Sequence, residues 1–126
     1  MSMQYLLVFI GGGLGAALRH CVNGLSLRLA GTALPYGTFF INVTGSIMMG
    51  VVAGLFAAKL PLPHGLRLFV ATGILGGYTT FSTFSLETAL LVERGQSLMA
   101  LGYVAGSVLL GVGGLFAGLA LVRALT

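Results

Sequence analysis

Charge is what this chain has least of. Of its 126 residues, six are Lys or Arg and two are Asp or Glu, 6 % in all. A soluble domain carries about 25 % charged residues. A chain this apolar cannot cover a globule with polar surface, and its composition is that of an integral membrane protein. Cysteine is nearly absent too. Cys21 stands alone, which excludes an internal disulfide and a cysteine-based metal site, and it reads as a packed apolar residue. Acid is the scarcest charge, with only Glu87 and Glu93. That removes a tempting motif: "GGGLGA" at 11–16 fits a dinucleotide fingerprint, but the fingerprint needs an acid about 20 residues later. None occurs before Glu87, so these glycines read as helix packing. The six basic residues are scattered, which excludes a nucleic-acid patch. His20 and His64 lie far apart and lack companion ligands. No nucleophile–base–acid set is visible, and an enzyme is not expected.

What the chain does have is long uncharged runs, at 1–18, 29–58, 68–86 and 95–122. About 20 apolar residues cross a bilayer as helix. The first run has no positive charge ahead of it, as a signal peptide would, and reads as a membrane helix. Loop signals fall at 23–37, at "KLPLPHGLR" (59–67) and at "ERGQS" (93–97). The prolines of "LPLPHG" make the clearest break. The expectation is one all-α domain over 1–126, with four transmembrane helices near 3–28, 36–59, 66–93 and 97–124. An even number of spans puts both termini on one side with Lys59, Arg67 and Arg123, against Arg28 and Arg94 on the other and Arg19 just inside a span. Lys and Arg asymmetry sets orientation, and here there is almost none. Either the chain inserts both ways and pairs antiparallel, or a small bias helped by a partner or by lipid fixes one orientation.

Glycine is abundant, with 21 residues. Many lie four apart: 11 and 15, 50 and 54, 73 and 77, 102 and 106, 114 and 118. Small residues at that spacing let helices approach closely in lipid. All four helices carry such a face, and four short helices do not easily enclose a pathway, so an oligomer is expected.

Polar groups within the spans mark function by default. Arg19 reads as a helix-end anchor, or as a group that closes a vestibule or binds carbonyls of the next helix. Asn42 can bond across helices or meet an ion through its amide. Tyr103 and Ser107 share one face of the last helix and can bond between helices or line a route. "GGYTTFSTFS" (76–85) is the densest signal. Positions three apart lie on nearly one helical face, so Phe81 pairs with Phe84, Thr80 with Thr83 and Ser82 with Ser85. Glu87 extends the phenylalanine face. "GGYTT" is a poor helix former, and a break near 76–80 frees carbonyls for a cation while the hydroxyls can donate to an anion. The plainer alternative is that the hydroxyls bond back to their own helix.

"GGGLGAALRH", "GTFFINVTGSIMMG" and "GILGGYTTFSTFSLE" resemble the three signatures of the CrcB/Fluc family of small fluoride channels, in order and over essentially the whole chain. The resemblance implies passive fluoride export across the inner (plasma) membrane, protecting against fluoride toxicity. It implies an antiparallel, dual-topology homodimer with two pathways in membrane lipid. It also implies a sodium ion at the dimer centre, on the carbonyls of Gly76 and Thr79. By position, Phe81, Phe84 and Asn42 would line the pore, and Ser82, Thr83 and Ser85 match the hydroxyl-rich part of the motif. Arg19 and Glu87 match the family's Arg and acid, and Tyr103 and Ser107 a polar track. Some members continue that track with Ser where this chain has Gly111. A small dual-topology multidrug exporter is the competing reading, but it needs an acid deep in the first helix, and residues 1–30 have none. A third reading is a structural subunit without transport.

Overall fold

The computed structural model describes residues 2–126. Among them lie α1 (Ser2–Ala30), α2 (Tyr36–Ala57), α3 (His64–Arg67), a π-helical stretch (Leu68–Leu75), α4 (Gly76–Tyr78), α5 (Phe81–Glu93) and α6 (Ser97–Leu125). The described residues contain no strand. Three helices, α1, α2 and α6, are long and apolar enough to cross a membrane. Residues 64–93 form a helical path interrupted only at Thr79 and Thr80, rather than one long helix.

The ends follow local chemistry. α1 runs to Ala30, two residues past the expected end at 28 and through residues that carried loop signals. That segment has no proline, and its leucines and Arg28 favour helix. It stops at Gly31, whose φ of +77° suits a residue without a Cβ, with the Gly31 N–H returning to Leu27 O at 3.2 Å. α2 starts directly after Pro35, which accepts the Phe39 N–H at 3.1 Å. Ala58 turns extended towards Pro61 and Pro63. The next helical turn begins at His64, two residues earlier than expected.

The break is narrower than the sequence suggested. Gly76–Tyr78 are helical, and only Thr79 (ψ 156°) and Thr80 (φ −150°, ψ 119°) are extended. The π-helical stretch was not expected. Such segments are rare and concentrate at functional sites. Its Gly73 lies against Gly11 of α1.

Two pairings hold the fold: α1 against the π-helical stretch and α4, and α2 against α6. Both are backbone-to-backbone approaches over glycine. A Cβ on Gly15 would run into the Ile74 carbonyl and come within 2.8 Å of Tyr78 N. On the second pair, a Cβ on Gly50 would strike the Leu115 carbonyl, and one on Gly118 the Ile47 carbonyl. The Gly102–Gly106 pair takes no part in this: a Cβ on Gly102 would meet nothing within 4 Å, and one on Gly106 only ordinary contact with Phe39. The interior is small: Ile41, Leu91, Ala100, Tyr103 and Val122 are buried, whereas Phe9, Phe81, Leu98 and Leu109 point outwards. Cys21 is also exposed rather than packed. It lies roughly 100° around α1 from the Gly11–Gly15 face that makes the contact.

Gly15 tests this packing. Gly15→Ala should destabilise the purified protein by about 1–3 kcal/mol, the usual cost of overpacking. Gly24→Ala, inside the same helix and with nothing within 4 Å of the added Cβ, should leave the denaturation midpoint unchanged or raise it, because Ala is the better helix former. Equal midpoints for the two variants would contradict the α1 contact.

Candidate functional site

The site grows from the two extended residues. In a continuous helix the Thr80 N–H would return to the Gly76 carbonyl. Instead it donates to Asn42 Oδ1 at 2.9 Å, and Asn42 Nδ2 donates to Thr80 O at 3.0 Å. One side-chain amide on α2 thus satisfies both main-chain groups of Thr80. The Thr80 side chain then caps α5, with Oγ1 accepting the Thr83 N–H at 3.3 Å and donating to Thr83 Oγ1 at 3.2 Å. Ser82 Oγ lies 3.3 Å away. Thr79 turns its hydroxyl back to Leu75 O at 3.0 Å.

Arg19 reaches the same region. Its Nε donates to Gly77 O at 3.1 Å. The carbonyl lies on α4 and not on the next helix, α2, where a carbonyl partner was expected, and the bond ties α1 to α4. The Thr44 and Tyr78 hydroxyls share a 2.9 Å hydrogen bond that ties α4 to α2. Among the described residues, no protein group donates to the carbonyls of Gly76 or Thr79. Gly76 is exposed and Thr79 half-buried. Main-chain oxygens without donors at the end of a broken helix have the chemistry that holds sodium in membrane proteins, so these residues fit such an ion.

Beside the break lies a cavity of about 310 Å³, lined among others by Asn42, Ser46, Thr80, Phe81, Phe84 and Ser107. Phe81 and Phe84 are tilted against each other, with centroids 5.6 Å apart, and Phe84 continues to Tyr103 at 5.2 Å. The three rings form a ladder from the surface inwards. Phe81 is 78 % exposed, Phe84 half-buried and Tyr103 9 % exposed. The Tyr103 hydroxyl and Ser107 Oγ are buried and have no hydrogen-bond partner. Ser107 makes none of the interhelical bonds that could have explained it, and Tyr103 has only the nearby Thr38 hydroxyl, outside hydrogen-bond geometry. An orphaned buried hydroxyl costs about 1–3 kcal/mol, and such groups call for a ligand or a function. Asn42 has two amide hydrogens, of which Thr80 takes one.

The structure therefore brings Asn42, Phe81, Phe84, Tyr103 and Ser107 together. Ser82 and Thr83 sit at the α5 cap. Ser85 is exposed and bonds back to Phe81 O at 3.0 Å. Glu87 accepts a hydrogen bond from the buried Thr38 hydroxyl, and the two lie near the Tyr103 end of the ladder rather than in the cavity with Asn42. Both line a second cavity of about 380 Å³, whose rim includes His20, Asn23 and Arg94. Thr38 and Ser46 were missed from the sequence. The signal was present: Thr38, Asn42 and Ser46 lie four apart and so share one face of α2.

Comparison with known proteins shows the family. The family model described as "CrcB-like protein, Camphor Resistance (CrcB)" matches residues 6–119. The chain belongs to the CrcB family. It is 63 % identical over 124 residues to the "Fluoride-specific ion channel FluC" of Rhodopseudomonas palustris (strain BisB5), covering 98 % of this chain and 100 % of that protein. It is 61 % identical, with the same coverage, to "Fluoride-specific ion channel FluC 2" of Nitrobacter hamburgensis. The FluC of Beijerinckia indica is 57 % identical over 123 residues, covering 96 % of this chain and 97 % of the relative.

The Asn42 clamp makes a prediction. Asn42→Asp keeps the acceptor for the Thr80 N–H, loses the donor, and places a carboxylate against the Thr80 carbonyl. It should destabilise the protein by about 1–3 kcal/mol and speed amide exchange at residues 80–84. Wild-type protection of those amides in Asn42→Asp would show that the break holds without the clamp.

Proposed function

We propose that this CrcB-family chain is a fluoride channel, with fluoride passing the cavity between Asn42, Phe81, Phe84 and Ser107. The observation that carries this reading is the buried, unpartnered Ser107 hydroxyl, which lines the cavity beside the Phe81–Phe84 rings. Fluoride is small and strongly hydrated, so a route for it must replace water with hydrogen-bond donors. Hydroxyls and the spare Asn42 hydrogen supply donors, and phenyl rings have a positive edge that tolerates an anion. The ion itself is inferred from the names of the relatives. Transport is passive: export down the gradient across the inner membrane protects the cell from fluoride. No catalysis enters. The exporter reading has no acid in α1 to carry it.

The working unit on this reading is an antiparallel homodimer embedded in lipid, in which residues 64–93 make a fourth, broken crossing. The near balance of Lys and Arg supports insertion in both orientations. The exposure of Phe81, at the mouth of the ladder, supports a second copy as the missing wall. The Gly76 and Thr79 carbonyls would hold a sodium ion at the centre of the pair. Its charge would offset the crowding of carbonyl dipoles where the two broken segments meet.

Proteoliposomes test the channel. The wild-type protein should release fluoride and retain chloride. Phe81→Ile and Phe84→Ile keep bulk but lose the positive ring edge, and should lower fluoride efflux at least about tenfold in a protein of unchanged size. Near-normal efflux from both variants would remove the rings from the route. In a crystal grown with sodium, absence of cation density between the Thr79 carbonyls of two copies would remove the ion.

Orientation is tested separately. Several lysines added to residues 59–63 should force one topology and abolish fluoride efflux. A second variant biased the opposite way should restore efflux on co-expression. Full activity from the single biased variant would rule out antiparallel pairing.

A further inference from the structure

Ser46 differs from its neighbours in what its hydroxyl does. Thr44, Thr79, Ser85 and Thr88 each bond back to a main-chain carbonyl one turn earlier, the ordinary fate of a hydroxyl in an apolar helix. No hydrogen bond of Ser46 is found among the described residues. Ser46 is half-buried and lines the cavity that holds Asn42, Phe84 and the orphaned Ser107. Its place in that cavity is defined by two facing turns. Asn42 and Ser46 are one turn apart on α2, and Ser107 and Gly111 are one turn apart on α6. The Ser46 hydroxyl oxygen lies 3.7 Å from the point a Cβ on Gly111 would occupy. At that level α6 offers no side chain, and the hydroxyl beside the gap comes from α2.

We propose that Ser46 is a further anion-binding residue of the route, donating to fluoride at the level where α6 carries only Gly111. The proposal rests on the fluoride-channel reading above. An ion leaving the Asn42–Ser107 level needs its next donor within one helical turn, or it must regain water in a narrow apolar cavity. Ser46 meets that need from the opposite wall. Serine is small enough to leave the gap open, and an unspent hydroxyl can turn its proton towards the ion.

The proposal separates a hydroxyl from mere volume. A Cβ on Gly111 would make only ordinary contact with Ser46, so side chains can be exchanged across the gap. In fluoride-efflux liposomes Ser46→Ala should slow the initial rate by about tenfold or more, the worth of one hydrogen bond to a charged group. Adding Gly111→Ser to Ser46→Ala should restore the rate to within about threefold of wild type. Adding Gly111→Ala should not restore it. As a second pair, Ser46→Thr and Ser46→Val match in shape and differ in the hydroxyl, and the Thr variant should be at least about tenfold faster. A Ser46→Ala rate equal to wild type would overturn the proposal, as would equal rescue by Ala and Ser at position 111. Failure of Gly111→Ser to rescue a protein that elutes normally would overturn it as well. A wild-type protein that passes no fluoride would overturn the channel reading itself, and this proposal with it.

Discussion

The centre of this protein depends on one side-chain amide holding one peptide. Asn42 bonds to both main-chain groups of Thr80, and each consequence at the site follows from that. If the Thr80 N–H returned to Gly76 O, residues 64–93 would close into a single helix. The carbonyls of Gly76 and Thr79 would be spent within it. α5 would lose the cap that Thr80 now supplies. The two extended residues advance the chain by roughly 6–7 Å, where two helical residues would advance it about 3 Å. They also reset the rotation of α5, so the faces that present Phe81, Phe84 and Glu87 are set by the break. Non-helical backbone at membrane depth is tolerated only when buried in protein or lining a cavity, and Thr80 is 9 % exposed.

The clamp works only if its carriers stay in register, and glycine provides that. α1 lies against the π-helical stretch and α4 with almost no side chain between the backbones at Gly11, Gly15, Gly73 and Gly77. That closeness lets Arg19 reach the Gly77 carbonyl. Three ties thus converge on the short α4 segment: Arg19 from α1, Thr44 from α2 and Asn42 just beyond its end. Backbone contacts of this kind cannot slide as flexible side chains can, and a route that strips water from an ion needs its donors fixed.

Much of this was legible in the sequence, for identifiable reasons. Charge scarcity and the length of the uncharged runs gave the helices, because bilayer thickness fixes how many apolar residues a crossing needs. "GGYTT" gave the break because glycine and adjacent β-branched residues are poor helix formers together. The three-residue spacing of Phe81 and Phe84 put their rings side by side. What the sequence could not give was the division of labour among hydroxyls. Thr80 caps, Ser85 bonds back and Ser107 bonds nothing, although all three are hydroxyls in one region. That division depends on which partner sits opposite in space. The π-helical stretch was hidden for a similar reason, since "LFVATGIL" has the composition of an ordinary apolar helix. Thr38 and Ser46 are readable from their spacing around Asn42, although a single hydroxyl in an apolar helix usually bonds locally and so carries little signal.

The break also creates two opposite electrostatic ends a few residues apart. A helix C-terminus carries partial negative charge on its free carbonyls, and an N-terminus partial positive charge on its free N–H groups. The helical run ending at Tyr78 gives the first, at Gly76 and Thr79, and α5 gives the second from Phe81 onwards. In lipid neither end can be left bare, because no water is at hand to solvate it. The protein meets the N-terminal end with the Thr80 hydroxyl and the C-terminal end partly with Arg19. The carbonyls that remain suit a cation, and the donors around Ser107 suit an anion. Asn42 touches both sides of this division: its amide fixes the peptide between them, and on the proposed route its second hydrogen faces the anion. A substitution there should therefore affect the fold and the route together, whereas Ser107 and Ser46 can be altered on the anion side alone.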